Sequence, residues 1–335
     1  MHNELLRLIG RRLMQLAVVL IVVSFFTFLL IRLLPGDPTQ TIIPFGRGPF
    51  FEAARRRLRA DLGLNKGFFT QYWDYLTGLL QLNFGHQYSS GRSVSTLVNQ
   101  SLPVSLELMV YAQIISLAIA IPLGVLAAYR AGTRTDSVIN TTAFGALALP
   151  NFVLALLLSF FIGAQLRWLP TGGYAPGWLD PIFNGSAHMD LGQHLRYMIL
   201  PAFTLAVGQI AVYMRLLRTD MIATLQENFI TLAKAKGLSN RRILWRHALR
   251  PSSLTLLTVA GLSVGTLIGG AVVVEVIFTV PGMGLKIFQA INAREYVELQ
   301  SYIVIIAVLF VLVNFLVDFL YAVLDPRIRR ARVAA

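Results

Sequence analysis

The 335-residue sequence contains no cysteine. A disulfide framework and a zinc site with thiolate ligands are therefore both excluded, and cysteine usage gives no indication of the redox compartment. Charged residues are scarce as well, at 13% of the chain, whereas ordinary soluble domains carry about 25%. Because 56% of the residues are hydrophobic, this composition is typical of a membrane protein.

Two sequence signatures of enzymes are missing too. The chain has no Gly-x-x-x-x-Gly-Lys-[Ser/Thr] loop, so it does not bind and hydrolyse ATP through a P-loop of its own. It has no His-Glu-x-x-His, and the nearest pair among its five histidines, His188 and His194, has no acidic cluster beside it. We expect no catalytic residue, no bound metal and no enzymatic activity in this chain.

Six apolar stretches are long enough to cross a bilayer core, which takes about 20 residues of helix. They are residues 13–34, 104–129, 138–166, 195–217, 254–280 and 302–324. The fourth is the weakest, because Pro201, Gly208 and Gln209 interrupt it. The sequence therefore predicts an all-α polytopic membrane protein with six transmembrane helices.

The distribution of Lys and Arg predicts the orientation. With the N-terminus inside, the inner segments hold 17 of these residues and the outer segments 11, of which 7 lie in the segment 35–103. That segment is longer than the roughly 60 residues over which the positive-inside bias acts, and setting it aside leaves 17 against 4. Both termini are therefore predicted to be cytoplasmic.

The predicted spans divide the chain into four parts. They are the cytoplasmic N-terminus with the first span (1–34), an extracytoplasmic loop or cap (35–103), a core of five spans (104–329) that includes a cytoplasmic loop (218–253), and a C-terminal tail (330–335). Within the cap, residues 51–64 and 68–82 have the periodicity of amphipathic helices. We therefore expect a small folded unit there.

Small residues recur every four positions in two of the predicted spans. The second span has Ala112, Ser116, Ala120 and Gly124 at this spacing, and the fifth has Gly261, Gly265 and Gly269. This spacing places small side chains on one helix face, where they let neighbouring backbones approach closely. The pattern predicts helix contacts and is compatible with both static packing and a sliding transport interface.

Three acidic residues lie within or beside the spans: Glu107, Glu275 and Asp318. Intramembrane carboxylates are costly, so each is a functional candidate by default. Glu107 and Glu275 fall near an outer boundary and Asp318 near the inner one, which favours interfacial carboxylates with local hydrogen bonds over a gating role. An ion-coupled carrier would more typically place an acid at mid-bilayer, beside a broken helix.

The most highly charged stretch is residues 229–251, with six Lys/Arg and no acid. Gly237 is positioned to end one helix, and Ser239 is a suitable N-cap for a second. An apolar stripe with helical spacing precedes the glycine, formed by Ile222, Leu225, Phe229 and Leu232. We therefore predict a helix–glycine–helix segment at the cytoplasmic face.

Three partners are compatible with this basic segment. Its charges alone are explained by topology and by contact with anionic lipid. The apolar stripe and the small residues Ala233 and Ala235 favour docking into a groove of a soluble partner instead. Nucleic acid fits worse, because the rest of the chain offers no basic fold and no base-stacking platform.

The segment resembles a known family. Thr231-Leu-Ala-Lys-Ala-Lys-Gly237-Leu is similar to the cytoplasmic "EAA" loop of ABC importer permeases, in the peptide/nickel branch typified by the B-type oligopeptide and dipeptide permeases. The chain departs from the general importer motif at Thr231, where glutamate is usual, and has Thr255 where this branch commonly has a proline. Further similar segments, in the family's order, are residues 11–13, 34–38, 61–64, 241–251, 269–278, 281–284 and 325–327.

The resemblance implies the fold of a type I ABC importer permease and a role in ATP-driven, binding-protein-dependent import of peptides. The residues that it assigns to ATPase coupling are Thr231, Leu232, Ala233, Lys234, Ala235, Gly237 and Leu238. The implied partners are a homologous second permease, two ABC ATPase subunits that carry ATP and Mg²⁺, an extracytoplasmic substrate-binding protein and the lipid bilayer, with no nucleic acid. The chain itself would hold no cofactor.

The resemblance further implies the cytoplasmic (inner) membrane of a bacterium or archaeon. Dipeptides, longer peptides, glutathione-like molecules, nickel chelates and oligosaccharides remain open as substrates. Two alternatives compete with the permease. A stand-alone ion-coupled secondary transporter would need inverted repeats and a coupling-ion site. A membrane-bound regulator would bind nucleic acid through the basic segment.

Overall fold

The computed structural model describes residues 2–33, 39, 49–61, 65–185 and 190–324, and within them every regular element is a helix. The helices are α1 (His2–Leu33), α2 (Pro49–Asp61), α3 (Phe68–Leu80), α4 (Val94–Tyr129), α5 (Arg134–Ala148), α6 (Asn151–Leu158), α7 (Asp180–Asn184), α8 (Leu191–Leu225), α9 (Asn228–Ala235), α10 (Asn240–Arg242), α11 (Leu249–Leu262), α12 (Val264–Ile277), α13 (Met283–Ala293) and α14 (Tyr296–Leu324). Two π-helical segments, Ser159–Gln165 and Ile243–Ala248, extend α6 and join α10 to α11.

Among the residues that the structure describes, three helices are individually long and apolar enough to cross a membrane: α4, α8 and the part of α14 from Tyr296 to Phe315. They coincide with the second, fourth and sixth predicted spans. The first predicted span lies in α1, and Ala17–Leu29 is the apolar stretch of this helix whose side chains are described. A helix satisfies its own backbone hydrogen bonds, which is the requirement for any segment that crosses the bilayer.

The third predicted span, 138–166, is not one straight helix. It consists of α5 and α6 with its π-helical extension, and the two parts meet at 98°. The break lies at Pro150, which has no backbone N–H, and Leu149 before it is extended with φ −82° and ψ 122°. A proline disfavours the α conformation of its predecessor, so the sequence itself ends α5 here.

The fifth predicted span, 254–280, is also broken. Its parts α11 and α12 meet at Ser263 with a bend of 48°. The Ser263 hydroxyl donates to the carbonyl of Ala260 (3.0 Å), a back-bond that bends helices. Gly261 and Gly265 therefore lie on opposite sides of the bend, and the spacing of four does not give one continuous face.

The glycines of this span also differ in their surroundings. The ring of Phe310 on α14 packs against Gly265, so a Cβ at this position would overlap it. Gly269 faces outward, and no atom of the described residues lies within 4 Å of a Cβ built there. Only the first of these two glycines is a site of close helix packing inside the chain.

The main packing partner of α4 is α8, and the predicted small-residue face of α4 lies in their contact. Ala112, Ser116 and Ala120 are fully buried, and a Cβ at Gly124 would lie 3.1 Å from the carbonyl oxygen of Met214. Small side chains thus let the two backbones approach, which supplies van der Waals contact where lipid provides no hydrophobic drive.

The segment 35–103 contains both helices that were predicted for it, as α2 and α3. The α3 helix packs its aromatic face on α1, where Phe28 makes edge-to-face contacts with Phe68 and Tyr72. The Tyr72 hydroxyl also donates to the carbonyl of Ile21 (3.3 Å). The cap is therefore attached to the apolar part of α1.

Candidate functional site

The α9 helix ends at a glycine in the left-handed conformation. Gly237 has φ +75°, its N–H donates to the carbonyl of Lys234 (2.9 Å), and the next N–H, of Leu238, donates to Ala233 (3.2 Å). This pair of bonds is a Schellman motif, which satisfies carbonyls left free at the end of a helix. A residue with a Cβ is strained at this φ, which explains the glycine in the quoted motif.

One face of α9 is anchored in the chain's own core. Ile230 is fully buried and Ala233 is 7% exposed, and both belong to the cluster that also contains Leu217, Met221 and Ile243. The resemblance assigned Ala233 to ATPase coupling. Its burial makes it part of the anchor that fixes α9 to α8 and to the segment after Gly237.

The opposite face of α9 is open, and we call it the α9 surface. It consists of Phe229, Thr231, Leu232, Lys234 and Ala235, all exposed. Leu232 is 56% exposed and Phe229 46%, so two large apolar side chains lie beside a lysine on this surface. An exposed apolar helix face with a charged neighbour is suited to a groove on another protein.

The predicted stripe of four apolar residues is divided between two helices. α8 ends at Leu225, and a turn at Gln226 and Glu227 precedes α9. Ile222 and Leu225 pack toward the buried cluster, whereas Phe229 and Leu232 are exposed. The prediction of one continuous apolar face was therefore wrong, although Phe229 and Leu232 form the apolar part of the α9 surface.

The segment after Gly237 continues as predicted. Ser239 occupies the N-cap position of α10 with an extended backbone, and the Asn240 side chain donates to the hydroxyl of Tyr129 at the end of α4 (3.2 Å). Ile243 and Leu244 enter the same cluster as Ile230, while Arg241 and Arg242 are exposed. The helix–glycine–helix segment thus has an apolar inner side and a basic outer side.

Glu275 is held entirely by hydrogen bonds within the chain. It is fully buried, and its carboxylate accepts from the hydroxyl of Ser105 (2.7 Å) and from the backbone N–H of Gly284 (2.7 Å) and Leu285 (3.2 Å). These N–H groups open α13, where a helix has free donors and a positive dipole end. A Cβ at Gly282 or Gly284 would overlap this carboxylate or its surroundings, which accounts for both glycines.

Glu107 holds the loop between α6 and α8 in a similar way. Its carboxylate accepts from the backbone N–H of Leu179 (2.6 Å) and from the hydroxyl of Tyr174 (3.0 Å). His194 Nε2 lies 3.6 Å from it, and His194 Nδ1 bonds to the carbonyl of Ala175 (2.7 Å). All of these partners belong to this chain, so the carboxylate fixes a loop.

Two further points concern the predicted polar residues. Asp318 lies in α14, but its side chain is outside the described part of the chain. Sequence reasoning missed Glu295, which accepts from the N–H groups of Tyr88 (2.7 Å) and Ser89 (2.8 Å) and ties the loop before α4 to the turn before α14. An acid just before a hydrophobic span was the available signal.

Residues 261–265, Gly-Leu-Ser-Val-Gly, formally match the nucleophile pattern of serine hydrolases. That pattern needs a strand-to-helix turn that exposes the serine. Here Ser263 joins two helices, and its hydroxyl bonds to the Ala260 carbonyl and contacts the Tyr213 hydroxyl. The match is accidental, because the serine has a structural role at the bend.

Comparison with known families agrees with this geometry. The model of the family "Binding-protein-dependent transport system inner membrane component" matches residues 120–330, and the model of its N-terminal part matches residues 5–109. The chain belongs to this family. Family membership and the long apolar helices together show a multi-pass membrane protein that is a transporter permease component.

Relatives in the family cover almost the whole chain. The "Probable peptide ABC transporter permease protein y4tP" of Sinorhizobium fredii is 37% identical over 95% of this chain and 98% of its own length. The oligopeptide transport system permease protein AppB of Bacillus subtilis is 36% identical over 96% and 98%. The di/tripeptide transport system permease protein DppB of Pseudomonas aeruginosa is 36% identical over 98% and 100%.

A solved structure shares the fold. The inward-facing MetNI methionine ABC transporter aligns with a TM-score of 0.55 at 15% identity, over 68% of this chain and 96% of the matched chain. This likeness shows that the chain has the helical fold of an ABC importer permease.

Proposed function

We propose that this chain is the permease of an ATP-driven, binding-protein-dependent importer of peptides. Its family membership and its relatives, which are named as permeases for peptides, di- and tripeptides and oligopeptides, support this assignment. The observation that carries the mechanism is the α9 surface. It is an exposed apolar face on a short helix whose other face is locked into the core.

The α9 surface docks on an ABC ATPase subunit. Leu232 and Phe229 supply the apolar contact, with Thr231, Lys234 and Ala235 around them, while Gly237 and Leu238 set the end of the helix. Because Ile230 and Ala233 join the cluster that contains parts of α4, α8 and α11, displacement of α9 is passed to the membrane helices. Movement of packed elements, rather than chemistry in this chain, couples ATP hydrolysis to transport.

The complete transporter then has five components. A homologous second permease completes the path, two ABC ATPases bind ATP and Mg²⁺, and a substrate-binding protein delivers peptide to the outer face. The chain lies in the inner membrane with both termini in the cytoplasm, residues 35–103 outside and residues 218–253 inside. The count of positive charges by segment supports this orientation.

Co-purification of the ATPase with the permease tests the docking assignment. We expect Leu232→Glu to lower the amount of ATPase retained by at least about tenfold, because burying a carboxylate in an apolar groove costs more than the ~1.4 kcal/mol of one tenfold step. ATP-dependent peptide uptake into proteoliposomes should fall with it. The permease itself should fold normally, because the Leu232 side chain is exposed and lies outside its buried core.

The matched control is Leu80→Glu, which changes a leucine that is 80% exposed in the extracytoplasmic segment. It should retain the ATPase as well as the unaltered protein does. If Leu232→Glu retains as much ATPase as the unaltered protein does, the docking assignment is overturned. Peptide uptake driven by an ion gradient in the absence of ATP would instead support the stand-alone secondary transporter.

A further inference from the structure

Polar side chains from three helices meet at the centre of the helical core. Gln113 lies near the middle of α4, Gln209 and Tyr213 near the middle of α8, and Ser263 and Thr266 at the bend between α11 and α12. We call these five residues the polar layer. Because each lies near the midpoint of an element long enough to cross the membrane, the layer lies near the bilayer midplane.

Hydrogen bonds connect the layer. The Tyr213 hydroxyl bonds to Gln113 Oε1 (3.2 Å) and contacts the hydroxyl of Ser263. On the other side of the bend, Gln209 Nε2 donates to Thr266 Oγ1 (3.1 Å), which donates to the carbonyl of Ser263 (2.7 Å). The bend at Ser263 is therefore joined to both α4 and α8.

One side of the layer is open. Tyr213 is fully buried, but Thr266 is exposed and Gln209 half-buried. Gly208 and Gly269 flank this side, and among the described residues nothing lies within 4 Å of a Cβ built at either position. A purely structural network would be enclosed, whereas this one presents an amide and a hydroxyl to a space that the small residues leave free.

Lipid is a poor occupant of that space. Polar groups at membrane depth face the interior of a bundle or a water-filled cavity, and broken helices at the midplane are typical of substrate paths. We propose that the open side of the polar layer lines the translocation path and binds the backbone amide groups of the passing peptide. This inference rests on the proposed function, since it deepens what the permease does with its substrate.

The chemistry of the layer fits this ligand. Gln209 and Thr266 provide neutral donors and acceptors, which match the N–H and C=O groups of a peptide bond. Neither side chain is charged, so neither selects a charged substrate side chain. Neutral hydrogen bonds of this kind contribute modestly to binding, which allows release as well as binding.

The absence of cysteine makes the inference directly testable, since any introduced thiol is the only one in the chain. Thr266→Cys is introduced into the complete reconstituted transporter and treated with a water-soluble methanethiosulfonate reagent. The mass of this chain reports the labelling. Such reagents react with the thiolate, which forms only where water reaches the thiol. We expect rapid labelling that slows several-fold when a transported tripeptide is present.

The matched control is Leu312→Cys, at the middle of α14 on a side chain that is 48% exposed. It should label at least about tenfold more slowly, because a thiol among acyl chains stays protonated. Equal labelling of the two variants, or labelling of Thr266→Cys that ignores peptide, overturns the inference. The inference is also overturned if assembly with the second permease, without peptide, is enough to slow the labelling of Thr266→Cys. The layer would then be a contact between subunits.

A second variant tests binding. Gln209→Leu keeps the volume and removes the amide, and we expect its KM for peptide uptake to rise up to about tenfold, whereas Gln209→Asn should recover part of the loss. An unchanged KM contradicts the assignment. If the unaltered transporter imports no peptide, the proposed function itself is refuted. If the Thr266→Cys transporter imports peptide normally but its thiol does not react, only this inference is refuted.

Discussion

At the scale of single residues, Glu275 is the clearest case of an intramembrane acid with a structural role. Its carboxylate accepts one hydroxyl and two backbone N–H donors, and Ser105 in turn accepts from the N–H of Met283 (2.8 Å). The acid therefore fixes α13 against α4 and α12. Such a group stays buried because its charge meets the dipole of a helix N-terminus.

Removing this carboxylate should destabilise the protein strongly. We expect Glu275→Ala to lower the free energy of unfolding by ~3 kcal/mol, because buried donors of Ser105, Gly284 and Leu285 lose their acceptor. The midpoint of thermal unfolding in detergent measures the effect. Glu275→Gln, which keeps one acceptor oxygen, should lose less.

Glu227→Ala serves as the control, because this acid is exposed at the turn before α9. Its unfolding midpoint should stay close to that of the unaltered protein. If Glu275→Ala were as stable as this control while uptake was lost, Glu275 would have a gating role and the structural interpretation would be wrong.

Sequence reasoning identified Glu275, Glu107 and Gly237 but only part of what they do. Gly237 was predictable, because a glycine after an apolar helical stretch is a local signal that needs no knowledge of the fold. The partners of Glu275 are 170 residues away at Ser105 and nine or ten residues away on α13. Contacts at such separations depend on tertiary packing, which one sequence does not reveal.

At the scale of elements, the length of an apolar stretch predicted where helices lie but not whether they are straight. The break at Pro150 has a local cause that was present in the sequence. The bend at Ser263 does not, because serine occurs in straight helices and bends this one through its bonds to Ala260 and Tyr213. The burial of Ala233 was equally hidden, since alanine is found on both faces of helices.

A salt bridge joins α5 to α8. Arg218 on α8 donates through Nε and Nη2 to the two carboxylate oxygens of Asp136 on α5 (2.7 and 2.6 Å), and Asp136 also accepts from Gly132 and Asn140. The Asp136 side chain is 6% exposed and that of Arg218 25%. This geometry is the two-pronged pairing that arginine forms with a carboxylate.

A double-mutant cycle should show that this pair is coupled. We expect Asp136→Asn and Arg218→Gln each to destabilise the protein, and the double variant to be less destabilised than their sum by about 2 kcal/mol. Arg218→Lys should behave almost like Arg218→Gln, because lysine does not form the paired bonds. Additive losses in thermal unfolding would show that the two helices are held by other contacts.

At the scale of the whole molecule, the two largest buried clusters among the described residues lie at different levels along α4 and α8. One contains residues from 104–112 of α4 and 198–205 of α8 with α12, and the other contains residues from 120–128 of α4 and 213–221 of α8 with α9 and α11. The polar layer lies between them, at the bend that separates α11 from α12. The cluster that contains α9 is connected to the other cluster by the continuous helices α4 and α8 as well as by the bend at Ser263.

The proposed function requires α9 and the loop before α4 to lie on opposite sides of the membrane, which single thiols can test. Ser89 before α4 and Ser239 after Gly237 are both exposed, and each becomes the only cysteine of the chain when it is replaced. A maleimide that does not cross membranes should label Ser89→Cys in intact spheroplasts. It should label Ser239→Cys only after the membrane is permeabilised, because the positive charges around Gly237 hold that segment inside.

The two substitutions are chemically identical, so each controls for the reactivity of the other. Labelling of Ser239→Cys from outside would invert the topology and remove the α9 surface from the side where ATP is hydrolysed.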